Sequence, residues 1–266
     1  MPIWAPVDQF AREPDFVCLH EQRFLRMMFL LIIEQFHPWL GLVMTAKIVE
    51  NPAYRNREHV FTDRFQAGKL LADKLREYAR NRNVIVLAVP AGGVPVGYVV
   101  AKELGVAFDV MVVRKIQIPW NTEAGFGAVT WDGKIVLNEG LVEQLGLTGE
   151  EMEASISKTK RNIQERLRKF RGDKPVSRLM DKVVVLVDDG LASGFTMLAA
   201  TRSVRVKAPK KIIVAVPTAS LGAIELLAPE VDEIVCLNIR SGLSFAVASA
   251  YENWYDLTDE EVLKML

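Results

Sequence analysis

The chain has 266 residues, half of them hydrophobic, and its 33 Lys and Arg balance 33 Asp and Glu, for a formal net charge of zero. That length suits one sizeable α/β core, and the balanced charge excludes a global field that would recruit nucleic acid or an anionic membrane, so a ligand must be held by a local site. The two cysteines, Cys18 and Cys236, have no paired spacing and fit a reducing cytoplasm, while His20, His37 and His59 all precede the main core pattern and argue against a His-based triad or zinc cluster.

Residues 1–56 read unlike the rest. Leu25 to Met44 is strongly apolar, but Arg26, Glu34, His37 and Pro38 interrupt it, whereas a membrane span needs about 20 nearly uncharged residues. No small-residue cleavage site follows cleanly, so a secretory signal does not fit either. The segment reads as an accessory amphipathic helix or as upstream translation ahead of a native start at Met44. Residues 57–266 form the main domain.

Thr62 to Arg80 spaces Phe65, Leu70, Leu71, Leu75 and Tyr78 as an amphipathic helix of about five turns. Val84 to Val89 predicts a buried strand, followed by Pro90-Ala91-Gly92-Gly93-Val94-Pro95 and a helix to about Leu104; Pro95 suits a first helical turn. Strand, Gly-rich turn and helix present backbone N–H groups to an anion. Val110 to Val113 predicts a third strand, running into Arg114 and Lys115, which are either anion ligands or solvated cations at a strand end. Gln117 to Gly127, with Pro119, Trp120, Asn121, Glu123 and Gly125, reads as a loop. A hairpin follows: Ala128 to Trp131, the turn Asp132-Gly133, and Ile135 to Leu137. Thr148-Gly-Glu-Glu151 predicts a capping box opening a helix to about Phe170, with Met152, Ile156, Ile163, Leu167 and Phe170 on one face. Its acids lead and its cations follow, which suits the helix macrodipole better than a nucleic-acid stripe.

Val183 to Thr196 carries the most chemistry. Five apolar, mostly β-branched residues form a strand buried on both faces, Asp188 and Asp189 close it, Gly190 to Gly194 turns, and a helix begins near Met197. The free N–H groups at the helix start and the hydroxyls of Ser193 and Thr196 suit a phosphate monoester. Paired carboxylates would repel a bare polyphosphate but accept well from vicinal hydroxyls, so the ligand implied is a sugar phosphate. A Walker loop needs Lys after its last Gly; Phe195 stands there. Ile212 to Val216 and Glu233 to Leu237 add strands around a helix from Leu221 to Leu227. Together these predict a doubly wound parallel α/β sheet of about five strands, with both glycine loops and the acid pair at its carboxyl edge. The tail brings Phe245, Tyr251, Trp254 and Tyr255, then a short helix after Thr258.

At Val183–Val187, Asp188, Asp189, Ser193, Gly194 and Thr196 the chain resembles the type I phosphoribosyltransferases, whose signature is a hydrophobic strand, two acids, a short small-residue loop and hydroxyl-Gly-x-Thr. The likeness runs from about Phe61 onward and is nearest to the group whose acceptor is undefined. It implies that Ala192, Ser193, Gly194, Phe195 and Thr196 hold the 5′-phosphate of phosphoribosyl pyrophosphate, and that Asp188 and Asp189 bind the ribose hydroxyls and act in catalysis. Ala91, Gly92, Gly93 and Arg114 would take the pyrophosphate, with Lys115 supporting its departure. The ribbon would be a mobile lid, and Phe245 and Trp254 would sit in a small hood where a ring stacks on the acceptor. Magnesium would enter with the pyrophosphate, without a direct protein ligand. The implied activity is phosphoribosyl transfer to a nitrogen nucleophile, a nucleobase or related amine, in a cytoplasmic protein that pairs as a homodimer, with no membrane or nucleic-acid partner. Relatives commonly carry Arg before the paired glycines; Ala91 stands there and removes a bidentate donor. The competing reading is therefore a sensor of phosphoribosyl pyrophosphate or a nucleotide on the same fold, without turnover.

Overall fold

The computed structural model describes residues 46–172, 174, 177–242 and 244–266, apart from the side chains of 122 and 123. The apolar stretch Leu25–Met44, both readings of it and the alternative start at Met44 lie outside the described residues. The central sheet is built from β1 (Lys47–Val49), β2 (Val84–Ala88), β3 (Ala107–Val110), β7 (Val183–Val187), β8 (Lys211–Ser220) and β9 (Glu233–Arg240). They stand in the order β1-β9-β8-β7-β2-β3, every neighbouring pair parallel. A second sheet of β4 (Val113–Ile118), β5 (Asn121–Thr130) and β6 (Ile135–Leu137) is antiparallel.

Successive residues of β7 point into two different cores, as a strand covered on both faces must. Val184 and Leu186 join Ile85, Leu87, Ile212 and Val214 on one side, under α5 (Phe195–Arg205) and α6 (Leu221–Leu227). Val183, Val185 and Val187 join Val84, Val86 and Ile213 on the other, under α1 (Arg64–Lys74) and α2 (Gly93–Leu104). Each fully buried aliphatic side chain contributes about 1.5–3 kcal/mol, which explains the unbroken valine run. A third core lies between the small sheet and the helix α4 (Gly149–Arg171): Ile116, Ile118, Phe126 and Val129 meet Ile156, Ile163 and Phe170. The expected capping box of α4 is present, Thr148 accepting from the Glu151 N–H while Glu151 accepts from that of Thr148. Two shorter helices, α3 (Glu139–Leu145) and α7 (Asp259–Leu263), complete the chain, the second opening after Thr258 as expected.

Four expectations need correction. The sheet has six strands; the sixth, β1, lies ahead of the boundary drawn at residue 56 and pairs with β9, its half-solvated Lys-Ile-Val giving no strand pattern. The apolar run Val110–Val113 is not one strand. Met111 N–H makes a last bond to the Ala88 carbonyl at 2.8 Å, then the chain leaves for the second sheet, all four residues being buried at the junction. Gln117–Gly127 is mostly strand: β4 turns at Pro119-Trp120 directly into β5. Its glycines mislead because a Cβ on Gly125 would lie 2.2 Å from Lys115 Cγ and one on Gly127 2.5 Å from the Val136 carbonyl, so they serve close strand pairing. The first helix stops at Lys74, with a 3-10 turn over Arg76–Tyr78.

The turn between β5 and β6 is tied to α5. Asp132 accepts from Thr130 Oγ1 at 2.6 Å and from Ser203 Oγ at 2.8 Å. Burial works against its charge, but those bonds and the nearby Lys207 outweigh it and hold the carboxyl below the usual range.

Candidate functional site

β2 and β7 lie side by side in a register that sets Ala88 against Val187, so both end at one level. From them the sheet grows in opposite directions, to β3 on one side and to β8 on the other, which makes the gap between their following loops the topological switch point. The loops stay together beyond the strands. Val89 N–H donates to the Val187 carbonyl at 2.8 Å, and Gly93 N–H turns back to the Val89 carbonyl at 3.0 Å to open α2. The Pro90–Ala91 peptide is cis. A Cβ on Gly92 would fall 1.9 Å from Asp189 Oδ2, and one on Gly93 2.7 Å from the Val187 carbonyl, so only glycine lets this loop lie on the acid pair.

The two acids are not equivalent. Asp188 Oδ1 accepts from the Asp189 N–H at 2.8 Å, and its side chain lines a cavity of about 830 Å³. Asp189 is 9% exposed and does not line that cavity. Its Oδ2 accepts from Arg64 Nε at 2.9 Å, and its carbonyl from the Tyr251 hydroxyl at 2.6 Å. Arg64 is buried too; its Nη1 donates to the Tyr255 carbonyl at 2.9 Å, and its guanidinium lies 3.8 Å from the ring centroid of Trp254. Burial pushes both carboxyls up. The Arg64 cation opposes this at Asp189, while the charge of Asp189 adds to it at Asp188, which stands well above the usual carboxylate range.

The phosphate loop is pinned from outside. Leu191 exchanges backbone bonds with Thr218 and Ser220 at 3.0 Å each, and Ser220 Oγ donates to the Ala192 carbonyl at 2.6 Å. Gly194, in the left-handed region at φ +78°, opens α5. Ala192 and Ser193 are exposed, Thr196 lines the cavity, and Phe195 packs its ring into the core while leaving its backbone at the helix start. The same cavity reaches Arg114 and Lys115 on β4. Burial and the like charge of Arg166 lower the proton affinity of Arg114.

Phe245 and Trp254 do not line the cavity. Trp254 packs against Arg64 and against Tyr251, with ring centroids 5.3 Å apart, and the Arg240 guanidinium lies 5.9 Å from the ring centroid of Phe245. The wall facing the acid pair comes instead from α4: Ala154, Ser155, Lys158, Thr159 and Asn162, joined by Asp256 of the tail. Positions 155, 158, 159 and 162 share one helix face at i, i+3, i+4 spacing, a polar stripe that carries one cation, Lys158. The Asn162 Oδ1 is buried without a protein partner among the described residues. Several cations of α4 are engaged within the chain: Arg171 with Asp109 at 2.7 Å, Lys169 with Asp259 at 2.8 Å and Arg166 with Asp259 at 3.4 Å. The only local hint of Arg64 was a cation in a helical first turn that holds no acid, against the macrodipole. Cys236 is fully buried and its thiol is pushed up to about 12, a structural residue. No group of three or more His, Cys, Asp or Glu among the described residues is arranged to hold a metal ion, and no described helix is long and apolar enough to cross a membrane.

A doubly wound parallel α/β sheet that sets Asp188, Thr196, Arg114 and Lys115 around one cavity at its switch point defines an α/β protein with its candidate site at the carboxyl edge of the sheet. The family model of the phosphoribosyl transferase domain matches residues 61–249, and the chain belongs to that family and has its type I fold. Two curated proteins of Mycobacterium tuberculosis, from strains H37Rv and CDC 1551, both named "Putative phosphoribosyl transferase", are 38% identical over 207 residues, or 78% of this chain. The match covers 46% of those relatives, so the chain spans about half their length. The crystal structure of TT1426 from Thermus thermophilus is 35% identical, with a TM-score of 0.61, over 77% of this chain and 96% of that one.

Proposed function

We propose that the protein transfers the phosphoribosyl group of phosphoribosyl pyrophosphate to a nitrogen nucleophile, with release of pyrophosphate. The carrying observation is that Asp188, Thr196, Arg114 and Lys115 share one cavity although they come from three separate elements. The 5′-phosphate would lie on the N–H groups from Ala192 to Thr196, the ribose hydroxyls on Asp188, and the pyrophosphate on the loop Ala91–Gly93 and the cations of β4. The bond from the anomeric carbon to pyrophosphate breaks, one to the acceptor nitrogen forms, and that nitrogen loses a proton. Charge then develops at the oxocarbenium-like ribose, near Asp188, and on the leaving group, near Arg114 and Lys115.

Magnesium fits this donor set. Asp188 and Asp256 line the cavity and would hold the ion beside the water and phosphate oxygens that such a metal prefers, and it would supply charge neutralisation of the leaving group. The acceptor would rest against the α4 wall, where no aromatic ring lines the cavity and Ser155, Thr159 and Asn162 offer hydrogen bonds. Ala91 supports the sensor as the second reading. Calorimetric titration of phosphoribosyl pyrophosphate, with and without magnesium, tests both against a Ser193→Ala, Thr196→Val variant. Magnesium-dependent micromolar binding, lost in the variant, is expected, and pyrophosphate release on adding amines then separates enzyme from sensor. No binding by the unaltered protein would overturn the donor site.

A further inference from the structure

Arg64 sits in the first turn of α1, 125 residues from Asp189 in sequence, and yet it is 6% exposed. A buried guanidinium at a helix N-terminus is unfavourable on two counts, desolvation and the macrodipole, so its partners must compensate. They do so from three directions. Asp189 supplies the charge at 2.9 Å, the Tyr255 carbonyl a second acceptor at 2.9 Å, and Trp254 a π-face at 3.8 Å. The carboxylate atom bound by Arg64, Oδ2, is also the atom that forbids a side chain on Gly92. Asp189 therefore stands between Arg64 and the Gly92 loop, with its carbonyl held by Tyr251, and does not line the cavity.

We propose that Arg64 is a positioning residue that divides the acid pair: backed by Trp254, it holds Asp189 as an ion-paired strut beneath the pyrophosphate loop and leaves Asp188 as the carboxyl that meets the ribose. This rests on the donor-site reading above and changes the role expected of Asp189. It also gives Trp254 a task, as the π-face against which the guanidinium rests.

The test is a double-mutant cycle of Arg64→Met and Asp189→Asn, with Asp188→Asn alongside, read by calorimetry with phosphoribosyl pyrophosphate and magnesium and by thermal melts. Asp188→Asn should weaken binding by about tenfold or more, the loss of a charge-assisted contact. Arg64→Met strands a buried carboxylate and should weaken binding by a similar factor. The double variant removes both charges and should bind about tenfold tighter than Arg64→Met alone, because a strut can be replaced by a neutral pair and a ligand cannot. A double variant no tighter than Arg64→Met would overturn the division, since Asp189 would then itself be holding substrate. Failure of the unaltered protein to bind would instead overturn the donor site. The melts then decide: a double variant melting above Arg64→Met upholds the strut, and purely additive losses overturn it.

Discussion

The two walls of the cavity are made in opposite ways. The acid-pair wall is two loops from adjacent parallel strands, interlocked through Gly92 and Gly93, with an ion pair and a tyrosine hydroxyl buried behind them. The α4 wall is one helix face of short polar side chains whose structural duty is carried by the other face, Ile156, Ile163 and Phe170. In the first wall a side chain at Gly93 would meet backbone on the neighbouring strand's loop; the second wall presents side chains on a single helix face. On the proposed function, the first kind of surface would suit the donor and the second the acceptor.

The largest effect should come from Gly93→Ala. Its Cβ would meet the Val187 carbonyl at 2.7 Å and Asp188 Cα at 2.8 Å, both backbone, so the loops must separate. A cost at or above about 3 kcal/mol is expected, with loss of phosphoribosyl pyrophosphate binding in calorimetry; a variant that melts and binds normally would break the contrast. Tyr251→Phe, which leaves the Asp189 carbonyl without its donor, should cost about 1–3 kcal/mol in denaturant unfolding.

Asp188→Asn should act in the opposite direction on stability. Burial and Asp189 raise the Asp188 carboxyl well above its ordinary value, so the folded state holds its proton more tightly than the unfolded chain does. Stability from this group is present at low pH and is lost as pH rises from the unfolded value of about 3.9 to the raised folded one. The variant should melt higher than the unaltered protein at pH 7, by about 2–4 °C for each 1 kcal/mol relieved, and the gap should close towards pH 4. A gap that widens on acidification would contradict the stated direction. Thr148→Ala, which removes the cap of α4, should cost about 1 kcal/mol, seen as a lower Tm. Lys158→Ala and Asn162→Ala should change stability by less than about 0.5 kcal/mol and leave donor binding within about threefold, while altering pyrophosphate release with an amine acceptor. Loss of donor binding in either would place α4 on the donor side.

The asymmetry between the walls also explains what could be read in the sequence. The strand, turn and helix around the acid pair were legible because their pattern is local: a valine run, two acids and hydroxyl-Gly-x-Thr stand contiguous in the chain. Arg64 was not, since its partner is 125 positions away and its helix has an ordinary amphipathic pattern. The contact of Trp254 with Arg64 was hidden for the same reason; an aromatic in the tail carries no sign of the cation it faces. Gly125 and Gly127 suggested a loop where they permit close strand pairing, and β1 is too short and too solvated to show alternation. The cavity face of α4 was hidden by its stronger apolar face, which any search for periodicity finds first.

The bond between Asp132 and Ser203 gives α5 two attachments of different kinds. Its first residues follow the loop after the acid pair, and Ser203, about 12 Å further along by helical rise, holds the turn of the β5–β6 hairpin, whose strand β5 pairs on its other side with β4 and its Arg114 and Lys115. One helix thus runs from the loop after the acid pair to the turn of the β5–β6 hairpin and joins two parts of the chain whose bonded residues are 71 positions apart.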